Sequence, residues 1–244
     1  MQDMTQAGEI VLIMGSGPNA TLSRGWQKGW FDRIVAINNA WQLRPDWDTL
    51  VFPEDFPVQN RPRNVSGFQR CVEADAFVPA QNLYGGFVHA GATMAFTTGY
   101  WALAEVRPRI MAFIGCDMVY PAQGRTHFYG TGTADPLRDD ISLRDLRAKS
   151  ARLAVIAAAQ GCACVNLSQD DSSLLFPTAA PDGLRGEIPP LGVDLQQISA
   201  LRAQEDALGY ATPDGRYAND PSAYDMDLLA EIDAKWQAIF HQEG

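Results

Sequence analysis

Apolar residues fall into short continuous runs along the first two thirds of the chain, with stretches of helical spacing between them. The runs are Ile10 to Met14, Arg33 to Ile37, Thr49 to Phe52, Ala76 to Pro79, Ile110 to Ile114 and Ala163 to Asn166. Runs of this length without apolar–polar alternation predict strands covered on both faces, as in a parallel sheet. Between them, Thr93 to Val106 carries apolar residues at helical spacing and stops before Pro108. Ser142 to Gln160 predicts the clearest helix: Ser142 as N-cap, Leu143, Leu146, Leu153 and Ile156 on the apolar side, Gly161 as the stop. Its basic residues Arg144, Arg147, Lys149 and Arg152 are expected mostly on the exposed side.

Strands alternating with helices imply βαβ units. The expected fold is α/β and Rossmann-like, a largely parallel sheet with helices on both faces, occupying residues 1–178. From about Phe176 the chain turns rich in Pro, Gly and Asp, which predicts a wandering arm, and 215–222 is a second turn-rich gap. Met226 to Phe240 then places Leu228, Leu229, Ile232, Trp236 and Phe240 on one helical stripe. Residues 179–244 are therefore expected to form a C-terminal arm and an amphipathic helix, packed on the domain or on a second copy as a homo-oligomer.

Composition narrows the class of function. A chain of 244 residues can bury a full core. Its net charge of −10 speaks against nucleic acid as a partner and for repulsion of anionic lipid. Ile110 to Ile114 and Ala151 to Ala159 are both too short to span a membrane, and Asp3 and Glu9 stand where a signal peptide would be basic. Cys71, Cys116, Cys162 and Cys164 include no CxxC pair, so free thiols and a reducing, cytoplasmic location are expected.

The chemistry concentrates in loops that follow the strands, the ligand edge of an open α/β sheet. The first strand ends in Gly15-Ser16-Gly17-Pro18-Asn19, where glycines allow a tight turn and a helix starting near Pro18 would aim its N–H groups at a phosphate. A strand feeding a plain turn gives the same letters. Asn38 and Asn39 follow the second strand and suit a ribose, a base edge or a phosphate, or a simple turn. Glu54 and Asp55 follow the third and suit sugar hydroxyls, a metal or a loop start. After the fifth come Gly115-Cys116-Asp117 and, ten positions beyond Asp117, His127 within Thr126-His127-Phe128-Tyr129-Gly130. An imidazole there is a natural general base, or a loop residue packed between its aromatic neighbours. His89 precedes a loop-to-helix junction and His241 lies three residues from the end. A P-loop lysine, a complete GxGxxG and a GxSxG elbow are all missing.

In order, Ile-Met-Gly-Ser-Gly-Pro-Asn, Asn38-Asn39, Ala90-Gly91-Ala92-Thr93-Met94, Ile-Gly-Cys-Asp and Thr-His-Phe-Tyr-Gly resemble the motifs of bacterial CMP-sialic-acid-dependent sialyltransferases of glycosyltransferase family 42, over about residues 9–178. Flagellin-glycosylation accessory proteins and hydroxymethylpterin pyrophosphokinases share the first half of the pattern. The resemblance implies that Gly15, Ser16, Gly17 and Asn19 wrap the phosphate and ribose of CMP, with Asn38 or Asn39 on the nucleotide and Thr93 near the donor. It implies His127 as base, Tyr120 as hydrogen-bond donor to the departing phosphate, and Asp117 as a further catalytic residue. Glu54, Asp55, Arg125 and Tyr129 would be substrate contacts. Asn19 stands where the family has Ser, and the short spacing from Asp117 to His127 leaves a second tyrosine unmatched, with Tyr129 or Arg125 as substitutes. The expected activity is a metal-independent glycosyltransferase in surface-glycan or lipopolysaccharide synthesis, taking a nucleotide sugar and a glycan acceptor, with no cofactor. The alternatives are an Mg²⁺-dependent phosphoryl transferase using Asp117, Glu54 or Asp55, and a nucleotide-binding accessory protein of flagellar or surface glycosylation.

Overall fold

A computed structural model describes residues 8–120, 124–131 and 140–243. Among these, β1 (Ile10–Met14), β2 (Arg33–Ile37), β3 (Thr49–Val51), β4 (Arg70–Val72), β5 (Ile110–Ile114) and β6 (Ala163–Asn166) make one wholly parallel sheet in the order β4-β3-β2-β1-β5-β6. The α-helices are α1 (Ala74–Leu83), α2 (Gly86–Ala90), α3 (Met94–Glu105), α4 (Leu146–Ala159), α5 (Leu195–Leu208) and α6 (Met226–Glu243). The fold is α/β and Rossmann-like. β1 lies inside the sheet, with Leu12 paired to Ile34 of β2 on one side and Ala112 of β5 on the other.

Every residue of β1 and β5 is buried, and alternate residues enter two separate core layers. Val11, Ile13, Val35, Met111 and Phe113 face the layer that holds α1, α3, α4 and α6. Ile10, Leu12, Met14, Ile34 and Ile110 face the other, where Ala20, Ala40, Leu43 and Leu184 meet them. Among the described residues that second layer is covered by 3₁₀ helices at Pro18–Gly25 and Asn38–Leu43 and by the segment around Leu184, with no α-helix contributing to it. Helices thus lie on both faces, the α-helices on one and only 3₁₀ helices on the other.

Five local expectations are corrected. Ala76 to Pro79 is not a strand: it lies in α1, and the fourth strand is Arg70–Val72. An edge strand with Arg70 and Cys71 exposed has no apolar run to announce it. β3 ends one residue early, at Val51. Ser142 sits in a 3₁₀ turn and donates its hydroxyl to Asp140, while Asp145 caps α4 by accepting from Ala148 N at 2.9 Å. The arm after Phe176 contains α5, which the turn-rich composition hid. Of the expected stripe on α6, Leu229, Ile232 and Trp236 are buried, Leu228 is exposed and Ile239 joins the core instead.

The largest departure concerns the charges of α4. Arg144 and Arg147 are exposed as expected, but Lys149 and Arg152 are buried, because α5 and α6 cover the face the sequence assigned to solvent. Arg152 donates from Nε and Nη2 to both Glu205 oxygens (2.8 and 2.6 Å) and from Nη1 to the Tyr100 hydroxyl (2.7 Å). Trp236 Nε1 donates to Glu205 as well, at 2.8 Å, and Lys149 Nζ meets Asp233 at 2.7 Å. Burial alone would raise the Glu205 carboxyl, but the Arg152 charge and hydrogen bonds outweigh it and hold it at about 2.

His89, in α2, is also buried, stacked on Tyr210 with neither ring nitrogen hydrogen-bonded among the described residues. Burial pushes its imidazole down to about 3.

Two stability predictions follow from this core. Glu205→Ala leaves a buried guanidinium uncompensated, which costs about 3–5 kcal/mol and should lower the melting temperature by about 6–20 °C. As pH falls below about 6.5, the unfolded chain protonates His89 while the folded chain resists until about 3, so stability drops across that interval. The Glu205 contribution is lost only lower, as pH falls from the ordinary carboxylate range toward about 2. Melting curves at mildly acidic and neutral pH should therefore differ less in His89→Leu than in the wild type.

Candidate functional site

The strand order reverses between β1 and β5: successive strands after β1 build outward through β2 and β3, whereas β5 returns to the other side of β1. The loops leaving such a pair diverge and open a crevice at the carboxyl edge. A cleft of about 780 Å³ lies there. Of the residues expected to act together, it brings in Ser16, Gly17, Asn19, Asn38, Asp55, Thr93, Asp117, Tyr120, Arg125, His127 and Tyr129. Gly15, Asn39 and Glu54 do not line it.

The glycine loop serves β5 first. Gly15 N donates to Ile114 O (2.8 Å) and Gly17 N to Gly115 O (2.9 Å). A Cβ on Gly15 would stand 2.2 Å from Gly115 O, and one on Gly17 2.9 Å from the same atom. These glycines are required by a backbone crossing. The steric demand at Gly17 comes from Gly115. Ser16, between them, lines the cleft with a buried hydroxyl oxygen that has no hydrogen-bond partner among the described residues. The helix that follows is 3₁₀, Pro18–Gly25, rather than α. The α-helical N-terminus at the cleft belongs to α3, where Thr93 Oγ1 caps by accepting from Phe96 N at 3.3 Å and Ala92 to Ala95 form part of the wall.

Asn19 forms the centre of a polar network on the cleft floor. Its Nδ2 lies 2.7 Å from Asp117 Oδ2, 2.7 Å from Ser168 Oγ and 2.9 Å from Asp170 Oδ2. Asn166 Nδ2 donates to the other Asp117 oxygen at 3.2 Å. Asp117 is thus held between two asparagines and joins the ends of β1, β5 and β6. Asn38 adopts φ 51°, and its Oδ1, like that of Asn19, is buried without a partner among the described residues. Asp170 and Asp171 line the cleft and were missed from sequence, as was the Asn166–Ser168 support. The signal was available: Asn166-Leu167-Ser168-Gln169-Asp170-Asp171 leaves β6 at the same edge as the loops that were counted. The described wall carries Asp55, Asp117, Asp170 and Asp171 against Arg125 alone. Among the described residues no three His, Cys, Asp or Glu side chains converge closely enough to hold a metal ion.

His127 is carried on a tight turn. His127 N donates to Gly130 O and Gly130 N to His127 O, and Phe128 N donates to Ser16 O at 2.9 Å, which pins the turn to the glycine loop. The ring stacks on Tyr129 at 5.0 Å, and the Tyr120 ring lies 6.5 Å from it. Burial lowers the His127 pKa, so the imidazole is neutral at pH 7. Its Nδ1 lies 2.9 Å from Thr126 Oγ1. The tautomer that donates from Nδ1 to Thr126 leaves the Nε2 lone pair for a substrate proton. Burial, then Cys116 and Asp117, push the Tyr120 phenol up to about 12, so it remains a hydrogen-bond donor.

Comparison of the chain with family models, curated proteins and solved structures returns no match.

The backbone crossing gives a direct test. Gly15→Ala should destabilise the protein by at least about 1–3 kcal/mol, read as a lower urea midpoint. Gly29→Ala, whose methyl meets nothing within 4 Å, should leave the midpoint unchanged.

Proposed function

We propose that the protein is a glycosyltransferase using a nucleotide-activated sugar, with His127 as general base. One observation carries this reading: a neutral imidazole and a protonated phenol, His127 and Tyr120, neighbour each other on a cleft at the strand-order reversal that also takes in the N-terminus of an α-helix. In this mechanism the phosphate of the donor rests near the start of α3 and Ser16, where the positive end of the helix dipole and unpaired hydrogen-bonding groups favour an anion. The glycosyl carbon–oxygen bond breaks and its electrons go to the phosphate oxygen, which Tyr120 stabilises by donating a hydrogen bond. The acceptor hydroxyl forms the new bond to the same carbon as His127 Nε2 takes its proton. Asn38 Oδ1 and Asn19 Oδ1, buried acceptors without partners, are suited to donors on the nucleotide or sugar. Asp117, with both oxygens hydrogen-bonded by asparagine, positions the loops and is not the base.

The test separates binding from chemistry. His127→Ala should bind CMP with the wild-type affinity in calorimetry, with or without Mg²⁺, while CMP release from a CMP-linked sugar falls by roughly 10²- to 10⁴-fold. The wild-type rate should rise with pH through a value below 6.5 and then level off, since His127 must be deprotonated. Tyr120, at about 12, adds no falling limb near neutrality. Near-normal turnover in His127→Ala would remove the base. ATP binding that requires Mg²⁺, with none for CMP, would transfer the cleft to phosphoryl transfer.

A further inference from the structure

A second hollow adjoins the cleft. It encloses about 370 Å³, and Pro53 and Asp55 line both, so the loop after β3 borders the two cavities together. Phe77, Val78 and Phe87, all buried, form an apolar floor, and Glu54, Asp55, Asp214 and Arg216 supply the charged groups around it. Glu54, absent from the cleft, has its place here. An apolar hollow with a few converging polar groups is the usual form of a small-molecule site, and this one is at the small end of the range.

The walls of the hollow are fixed in place. One of them is the turn at 212–216, between α5 and α6, and it is tied to α1 and α2. Asn82 Nδ2, in α1, donates to Thr212 O at 2.8 Å, and Gly215 N donates to the same oxygen at 3.0 Å. Gly215 takes φ 74°, and a Cβ on it would stand 2.9 Å from the Phe87 ring. Phe87, in α2, also stacks on Tyr217 at 5.7 Å. Asp214 Oδ1 accepts from Arg216 N at 3.0 Å, which holds that carboxylate against its own turn. Glu54, Asp55 and Arg216 are exposed, and among the described residues none of the three is in an ion pair.

We propose that this hollow holds the second ring of an uncharged oligosaccharide acceptor whose first ring reacts in the cleft, an inference that rests on the glycosyltransferase reading. A sugar ring matches both kinds of surface. Its C–H face covers the floor of Phe77, Val78 and Phe87, and its hydroxyls donate to the carboxylates of Glu54, Asp55 and Asp214. Arg216 is the donor available to a hydroxyl or ring oxygen. A small cation would satisfy the carboxylates but leave the apolar floor in water. Charge sets the selectivity: among the described residues the two cavities together carry Glu54, Asp55, Asp117, Asp170, Asp171 and Asp214 against Arg125 and Arg216. That balance repels an acceptor bearing phosphate or carboxylate.

Calorimetric titration of the full chain with lactose, cellobiose, maltose and diacetylchitobiose, with and without CMP, tests the hollow apart from the chemistry. At least one of these neutral disaccharides should bind, and more tightly than its component monosaccharides, while the anionic lactobionate and cellobionate should not. Asp214→Ala should weaken that binding by roughly tenfold, the loss of one hydrogen bond to a charged group. Ala74→Trp, which fills the hollow, should reduce the disaccharide to the affinity of the monosaccharide. Both variants should keep the wild-type CMP affinity and melting temperature. Binding of none of the four disaccharides, binding that neither substitution weakens, or tighter binding of the anionic sugars would overturn the proposal. The two readings fail separately. Disaccharide binding that depends on Asp214, with wild-type CMP release in His127→Ala, would keep the hollow as a carbohydrate site and remove the catalytic reading. Loss of CMP release in His127→Ala with no disaccharide bound would do the reverse.

Discussion

The backbone of β1 and the backbone of β5 meet at Gly15 and Gly115 with no room for a side chain on either. Gly115 takes φ 68°, and a Cβ on it would stand 2.6 Å from Ala20 Cβ, while one on Gly15 would overlap Gly115 O. Contact this close lets Gly15 and Gly17 donate into the end of β5, and that in turn fixes where Ser16, Asn19 and Asp117 stand. Phe128 then donates to Ser16 O and brings His127 with it. The cleft is therefore a consequence of one crossing at the point where the strand order reverses, and its polar groups inherit their positions from that crossing.

The opposite requirement governs α4. Lys149 and Arg152, in the first two turns of α4, would ordinarily stay in water, because burying an unpaired charge is far too costly. Here α5 and α6 supply Glu205 and Asp233, and the bidentate Arg152–Glu205 pair is completed by the Tyr100 hydroxyl and the Trp236 indole. The C-terminal segment is consequently part of the core. A buried network of this kind specifies one arrangement of α3, α4, α5 and α6, since any other leaves a charge without its partner.

The chemistry of the cleft is set by the balance between its acids and its donors. Among the described residues four aspartates face one arginine, so a phosphate held there would depend on the α3 N-terminus and on hydroxyl and amide groups rather than on cationic side chains. Asn19 spreads two amide hydrogens over three oxygens, Asp117, Ser168 and Asp170, and so draws the β5 and β6 loops together. Partial burial disfavours the charged form of both groups and so reinforces a neutral imidazole on His127 and a protonated phenol on Tyr120. In the proposed mechanism these are the states that accept a proton and donate a hydrogen bond.

Five of the six strands, α3, α4 and α6 were legible in the sequence, because a strand covered on both faces must be apolar throughout and a docked helix must carry a stripe. The strand-end loops at Ser16, Asn38, Asp117 and His127 were legible for a related reason: in a parallel sheet they share one edge. What the sequence left open depended on partners far away along the chain. β4 is an edge strand with one neighbour, so Arg70 and Cys71 needed no apolar pattern, and the apolar run at Ala76 to Pro79 went to α1 instead. Lys149 and Arg152 read as solvent-facing until Asp233 and Glu205 arrive from more than fifty positions downstream. Asp170 and Asp171 became cleft residues only when β6 was seen beside β5. Local pattern determined which segments form and which face is apolar, since both follow from neighbours within a turn or a strand. Tertiary structure alone decided which charges are buried and which loops converge, because the energy of a buried charge depends on a partner that no local window contains.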